Sequence, residues 1–298
     1  MTRTGFRRRT FLAAAGGLPC LTGADLVGAR RALGAPKRKI PIGIEIYSVK
    51  EEEKKDILGT LRALSKMGYE GVEFWAPYLE WTPDKLKQVR KQLDDLGMRC
   101  FSTHNRAHYF EPDTLGKAIE YNQALGSGYV VMDQPPKGTE GEAGWKKVAE
   151  LLTTSHARLK KAGLSGGFHN VLKEWRALPV EGGGKGTRPI DILTANTPKD
   201  FAFQLDTATC MAEGADPVAF IKTNPGRVKS YHLKDWSPDK QKGYKVLLGE
   251  GIGPWKQIVA AAESVGGVEY YLIEQEGSRF SPLETAKRCL ENFKKLRG

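Results

Sequence analysis

Seven apolar, β-rich runs in this chain end in an acid or an imidazole: Glu73, His104, Asp133, His169, Asp206, His232 and Glu274. Such a group at the end of a buried strand costs free energy unless it is paired or ligated. One case is ordinary packing, but a series of them asks for a shared site. His169, Asp206, His232 and Glu274 supply imidazoles and carboxylates in equal number. That donor set suits one divalent ion such as manganese, magnesium, cobalt or zinc, and it lacks the cysteines of a closed structural zinc site. A metal-free polar core is the alternative. Side chains alternate along a strand, so Gln204 shares a face with Asp206, and Lys234 with His232. Gln204 is then expected one layer below Asp206, and Lys234 at the rim. His104 with Asn105 is read as a contact for substrate hydroxyls, against a hydrogen-bonded core histidine. Glu73 is read as a substrate contact or ligand, against an internal salt bridge. Asp133, before Gln134-Pro135-Pro136, could simply close its strand. Trp75 and Trp236 are candidates to stack on a ligand ring, and Trp255 fits helix packing better. His156 falls in a helical pattern and is expected to be exposed.

The elements that would position these residues alternate. Strand-like runs are Ile42–Ser48, Gly71–Trp75, Arg99–His104, Tyr129–Asp133, Gly166–His169, Phe201–Asp206, Val228–Lys234 and Glu269–Glu276. Amphipathic stretches lie between them: Asp56–Met67, Thr82–Leu96, Asp113–Leu125, Gly144–Ala162, Pro217–Thr223, Pro254–Val265 and Pro282–Leu296. Each carries apolar residues at i, i+3, i+4 spacing with charges opposite. Alternation of this kind predicts a parallel sheet with helical crossovers, and eight strands in about 260 residues fit a closed (β/α)8 barrel. Active sites of such barrels lie at the C-terminal strand ends, where the polar residues collect. No Gly-x-Gly-x-x-Gly follows the first strand, so the dinucleotide signature is missing. The glycine-rich insertion Leu178–Arg188 is read as a loop above the barrel mouth, a lid or a passive connection.

The 298 residues are 40% hydrophobic and carry a formal charge of +11. Arg3, Arg7, Arg8, Arg9, Arg30 and Arg31 against Asp25 place +5 of that in residues 1–35, leaving +6 on the rest. No basic stripe with interleaved aromatics appears, so nucleic acid is not an expected partner. No apolar run is long enough to span a bilayer. Arg7-Arg8-Arg9-Thr10-Phe11-Leu12 followed by Ala13-Ala14-Ala15 has the layout of a secretory signal and resembles a twin-arginine signal. Residues 1–35 are therefore expected to be a removed leader, with cleavage after Ala35 favoured over Ala29, and 36–298 the barrel domain. A lipoprotein anchor at Cys20 is disfavoured by Gly17. Cys100, Cys210 and Cys289 show no metal spacing and are expected to be buried thiols.

The segments Leu205-Asp206-Thr-Ala-Thr-Cys210 with Gly214-Ala-Asp216-Pro217, Tyr231-His232-Leu-Lys234-Asp235, Gly249-Glu-Gly-Ile-Gly-Pro-Trp255 and Leu272-Ile-Glu274-Gln-Glu276 resemble the sugar phosphate isomerase/epimerase family of xylose-isomerase-like barrels. Ile42-Gly-Ile-Glu-Ile-Tyr-Ser48 and Gly71-Val-Glu73-Phe are similar to its first strands. With the leader, the chain looks like the exported, twin-arginine subgroup. The resemblance implies that Asp206, His232 and Glu274 are metal ligands. Where the ketose 3-epimerases place a fourth, glutamate ligand, Phe168-His169-Asn170-Val-Leu-Lys-Glu174-Trp175 resembles a histidine variant, implying His169 in that role. Those epimerases use a metal-bound glutamate on each face of the substrate, so His169 puts a symmetric two-base scheme in doubt. A single base, Glu274 or Glu276, helped by Lys234, is the implied chemistry.

The function implied is a metal-dependent isomerase or epimerase acting on a small carbohydrate outside the cytoplasm. The alternatives are a lyase or hydratase acting on 3-keto-glycosides, and a sugar-binding barrel without catalysis. Glu73, His104, Asn105, Gln204 and Trp236 are the expected substrate contacts. An assembly of identical subunits is compatible with these features. A nuclease on this barrel would need more metal-binding histidines than the five present.

Overall fold

A computed structural model describes residues 39–180, 184 and 186–298. Residues 1–38, on which the expected leader, its cleavage positions and Cys20 fall, lie outside the described residues, as do 181–183 and 185 of the glycine-rich insertion. All eight expected strands form: β1 (Ile42–Glu45), β2 (Gly71–Phe74), β3 (Arg99–Arg106), β4 (Tyr129–Gln134), β5 (Ser165–His169), β6 (Ala202–Asp206), β7 (Val228–Leu233) and β8 (Tyr270–Ile273). They pair in parallel and in order, and β8 pairs back onto β1 to close the barrel. The helices are α1 (Lys50–Met67), α2 (Pro83–Asp95), α3 (Leu115–Leu125), α4 (Gly141–Lys161), α5 (Pro189–Asn196), α6 (Thr207–Ala212), α7 (Pro217–Thr223), α8 (Trp255–Ala261) and α9 (Pro282–Arg297).

Local chemistry explains the element boundaries. Thr82 caps α2 by accepting the Lys85 N–H at 3.2 Å, with Pro83 at the first helical position. α1 begins at Lys50, earlier than the periodicity indicates, and breaks at Asp56, where φ is −155°. The Asp56 carboxylate accepts the Gly59 N–H at 2.8 Å, so the expected start at Asp56 is a cap within a longer, kinked helix. α6 was not anticipated. It is a short turn directly after β6, nucleated by Asp206, which accepts the Thr209 N–H at 2.9 Å.

Two layers of packing follow from strand alternation. Outward residues such as Ile44, Val72, Phe168, Phe203, Leu205, Tyr231 and Ile273 join the helices in one continuous apolar core. Inward residues fill the barrel itself. Its floor is a small apolar cluster in which Phe101 stacks on Tyr270 at 5.0 Å, with Leu272 above. Gly43 and Gly71 make room for that ring. A Cβ on either would sit 2.8 or 2.6 Å from Phe101 atoms. A register shift between Val72 and Glu73 against β3 leaves Phe101 as an extra residue, so Ser102 still reaches Glu73 in the layer above.

Candidate functional site

Above the apolar floor the barrel interior turns polar. Glu73, at the end of β2, is fully buried and is the hub of this layer. Its Oε2 accepts from Ser102 Oγ and, at 2.8 Å, from Gln204 Nε2. Its Oε1 accepts from His232 Nε2 at 2.6 Å and lies 3.2 Å from His104 Nε2. Gln204 completes the layer, because its Oε1 accepts from His104 Nε2 at 2.6 Å and from His169 Nδ1 at 3.0 Å. The three imidazoles cluster with ring centroids 4.5 to 5.0 Å apart. Glu45, closing β1, belongs to the same layer and was not anticipated. Burial, and then the charge of Glu73, push its carboxyl well above the usual range.

One layer higher, strand register brings the ligand candidates together. Asp206 on β6 lies directly opposite His232 on β7. His232 lies opposite Leu272, so Glu274, two residues on, emerges on the same face above it. His232 Nδ1 is 2.8 Å from Glu274 Oε2. Ligand atoms of Asp206, His232 and Glu274 all lie within 4.8 Å of one another. The charges ask for a cation there. Burial lifts the Asp206 carboxyl to about 6, against the opposing pull of Lys234. Burial also disfavours a charged His232, yet Glu274 and Glu73 outweigh it and raise that imidazole well above its ordinary value. Asp206, His232 and Glu274 are the residues that would hold a divalent ion there. Glu73 holds His232 Nε2, the kind of carboxylate contact that would fix the tautomer of a ligating histidine. The residues present fit such an ion.

His169, expected as the fourth ligand, lies beside His232, with ring centroids 4.5 Å apart. Its ring clusters with His104 and His232, and the Glu274 carboxylate is near enough to act on its charge. Burial first, then the neighbouring imidazoles, depress its basicity well below normal, so it stays neutral. A neutral imidazole remains a competent ligand, and its Nδ1 is already held by Gln204.

At the rim, Lys234 bonds to Glu276 and lies 3.7 Å from Glu274. Burial pushes Glu274 toward neutrality, but Lys234 and His232 outweigh it and hold the carboxyl well below the usual range. The ammonium is itself stabilised, against burial, by Glu274, Asp206 and Glu276. The Lys234–Glu276 end opens into a cavity of about 730 Å³ bordered by the loops after β4 to β8.

Several expected substrate contacts take other places. Asn105 is fully buried and turned outward from the barrel, where it accepts from Tyr78 Oη at 2.7 Å and donates to Thr103 O at 2.9 Å. Strand alternation decides this, since an inward His104 sends Asn105 the other way. Glu73 and Gln204 lie beneath the ligand candidates, bonded to each other and to the imidazoles, with Ser102 also on Glu73. Trp236 is half-buried, and Asp235 accepts its backbone N–H at 2.9 Å. Trp75 donates to Glu53 at 2.9 Å and stacks edge-on with Tyr47 at 5.0 Å. Trp255 packs in the core and donates to Asp235 at 2.9 Å. His156 is buried, contrary to expectation, because α4 turns it toward β5, where Nδ1 accepts the Gly166 N–H at 3.0 Å. Asp133 is held by Arg106 at 2.9 Å.

Braces to which the sequence reading gave no role also appear. Asn170 accepts the Asp206 N–H at 3.0 Å and donates to Thr209 at 2.9 Å. Thr207 donates to Lys234 O at 2.7 Å, tying β6 to β7. Glu174 accepts the Val171 N–H at 2.8 Å and closes the loop after β5. Each sits within five residues of a ligand candidate and inside a segment that carries the family resemblance, the signals that could have found it. The three cysteines of the described residues are buried and free.

The family model of the xylose isomerase-like TIM barrel matches residues 61–296. No curated protein matches the sequence. Among solved structures, the chain is similar to a sugar phosphate isomerase/epimerase from Parabacteroides distasonis, at TM-score 0.73 and 24% identity over 87% of this chain and 94% of that one. It is similar to the IOLI protein with a bound zinc atom, at TM-score 0.64 and 15% identity over 85% and 98% of the two chains. A probable 3-DHS dehydratase from Bacillus anthracis matches at TM-score 0.64 and 12% identity, over 86% and 99%. At these identities the structural likeness shows the fold.

Proposed function

Because this chain belongs to the xylose isomerase-like TIM barrel family, we propose that it is a divalent-metal-dependent isomerase or epimerase that removes a proton beside a carbonyl of a sugar or sugar derivative outside the cytoplasm. The observation that carries this reading is the convergence of Asp206, His232 and Glu274 with Lys234 at the open end of the barrel. Asp206, His232 and Glu274 would hold the ion, with His169 as the fourth ligand. When bound, the ion supplies Lewis-acid polarisation of the carbonyl and its neighbouring hydroxyl.

The chain's own residues do the rest. Glu73 keeps the His232 Nε2 proton and so leaves Nδ1 for ligation. Glu274, kept ionised by Lys234 and His232, is the base that takes the substrate proton. Lys234 offers positive charge beside the oxygen that becomes negative. Glu276, half-exposed and bonded to Lys234, connects that ammonium to solvent for proton exchange.

A second reading is supported by His169. Its neutral ring cannot serve as a second carboxylate base, and one-sided proton removal suits β-elimination or hydration of a 3-keto-glycoside equally well. Ketoses and 3-keto-glycosides, incubated separately in heavy water and followed by NMR, decide between them. Deuterium entry without loss of carbon connectivity supports the isomerase. Glycosidic cleavage supports the lyase. Failure of both with metal bound sinks the enzyme reading and leaves a sugar-binding barrel.

A further inference from the structure

The cavity above the ligand layer carries a lopsided charge. Of the side chains lining it, Lys173, Arg176, Lys234, Lys240, Lys242 and Lys245 are cationic, and only Glu276 is acidic. Some of these cations are occupied. Lys234 is held by Glu276, Arg176 forks onto Glu213 at 2.8 and 2.6 Å, and Lys242 lies 3.7 Å from Asp239. Lys173, Lys240 and Lys245 remain. None of the three forms an ion pair among the described residues, and they stand on two loops, after β5 and after β7, that border one concavity. Like charges gathered around a concave surface repel one another and focus a positive potential into it. A neutral sugar would gain nothing from that arrangement.

We propose that the substrate of this site is an anionic sugar, bearing a carboxylate or phosphate remote from the carbon that Glu274 deprotonates, and that Lys173, Lys240 and Lys245 bind that oxyanion. The placement of the reacting carbon rests on the proposed function, whereas anion binding does not. Lysine ammoniums on flexible stems act as point charges that follow an oxyanion over a range of positions. The one guanidinium that could grip it bidentately, Arg176, is already committed to Glu213. Recognition is therefore mainly electrostatic, and salt weakens it. Gln134, Gln241 and Tyr244 line the same space and supply hydrogen-bonding groups for the sugar hydroxyls.

Calorimetry on the full protein with D-glucuronate, D-glucose 6-phosphate and D-glucose tests this directly, because the three differ chiefly in the charge at one end. At low salt, at least one anion should bind roughly tenfold or more tighter than D-glucose, and the advantage should shrink with added salt. The triple variant Lys173→Ala, Lys240→Ala, Lys245→Ala should bring the favoured anion down to the level of D-glucose. All three lysines are exposed, so the variant keeps its fold. A preference for glucuronate assigns a carboxylate, and a preference for the phosphate ester assigns a phosphorylated sugar. Equal binding of all three sugars, an anion preference that survives the triple substitution, or no saturable binding of either anion overturns the proposal. Absence of deuterium exchange into any sugar, with anion binding intact, would count against the isomerase reading alone.

Discussion

Glu73 has no access to solvent, yet the arrangement of the ligand candidates depends on it. Its carboxylate takes hydrogen bonds from Ser102, Gln204 and His232 and lies beside His104. Removing its charge loosens the tautomer and the ring orientation of His232 without touching a ligand. Glu73→Gln is expected to weaken metal affinity about 10- to 100-fold, whereas His232→Ala abolishes stoichiometric binding. Metal analysis after dialysis against graded chelator reads both, and a Glu73→Gln protein that retains full affinity would show that the hub is only packing. Glu274→Gln keeps the shape but removes the base. It is expected to slow solvent-deuterium incorporation by about 10²- to 10⁴-fold. Asp206, His232 and Glu274 were legible in the sequence because each ends an apolar run and fits a motif. Glu45 was not, since its run continues without a break through Ile46.

At the scale of elements, two devices hold the mouth and the floor. Asp235, one residue past Lys234, accepts the N–H groups of Gly249, Gly251 and Gly253 at 2.8, 3.1 and 3.0 Å, and Trp255 Nε1 as well. Gly251 is required there, because a Cβ would lie 2.3 Å from the Asp235 carboxylate. The glycine-rich segment before α8 is thus wrapped around a buried carboxylate that also fixes the end of β7. At the floor, Gly71→Ala drives a methyl group into Phe101 and the Arg99 carbonyl. It should cost about 1–3 kcal/mol in urea unfolding, and an unchanged midpoint would mean that the strand can move aside. The link between α4 and β5 predicts a pH effect. Burial lowers the affinity of His156 for a proton, with Asp200 opposing, so its folded pKa lies below the unfolded value of about 6.5. The unfolded chain then binds the proton first as pH falls. Stability should be unaffected above about pH 7 and should decline as pH drops through 6.5 toward the folded pKa. Urea midpoints at several pH values for the wild type and His156→Gln should show a smaller acid-side decline in the variant. The sequence placed His156 on a helix, but only the docking of α4 decided that this face turns inward.

For the whole molecule, alternation of eight strands with amphipathic helices left one economical topology, and the chain follows it. The described unit, 39–298, carries the complete barrel. The twin-arginine export expected from Arg7-Arg8-Arg9-Thr10-Phe11-Leu12 predicts that Arg8→Lys with Arg9→Lys holds the chain in the cytoplasm, as fractionation with a reporter would read. Part of the surplus positive charge of the barrel domain has a place in the structure, since Lys173, Lys240 and Lys245, without an ion pair among the described residues, border the cavity at the mouth.

By itself the sequence determined the architecture and the ligand candidates on β6, β7 and after β8. Both follow from periodicity and from the cost of burying charge at strand ends, which are local properties of the chain. Tertiary structure decided what those side chains meet. A strand fixes that His104 and Asn105 point apart, but not which of them faces the axis until the barrel closes. Closure, by setting the register between strands distant in the chain, made Glu73 a partner of His232, grouped His169 with the other imidazoles, and gathered Lys173, Lys240 and Lys245 around one cavity.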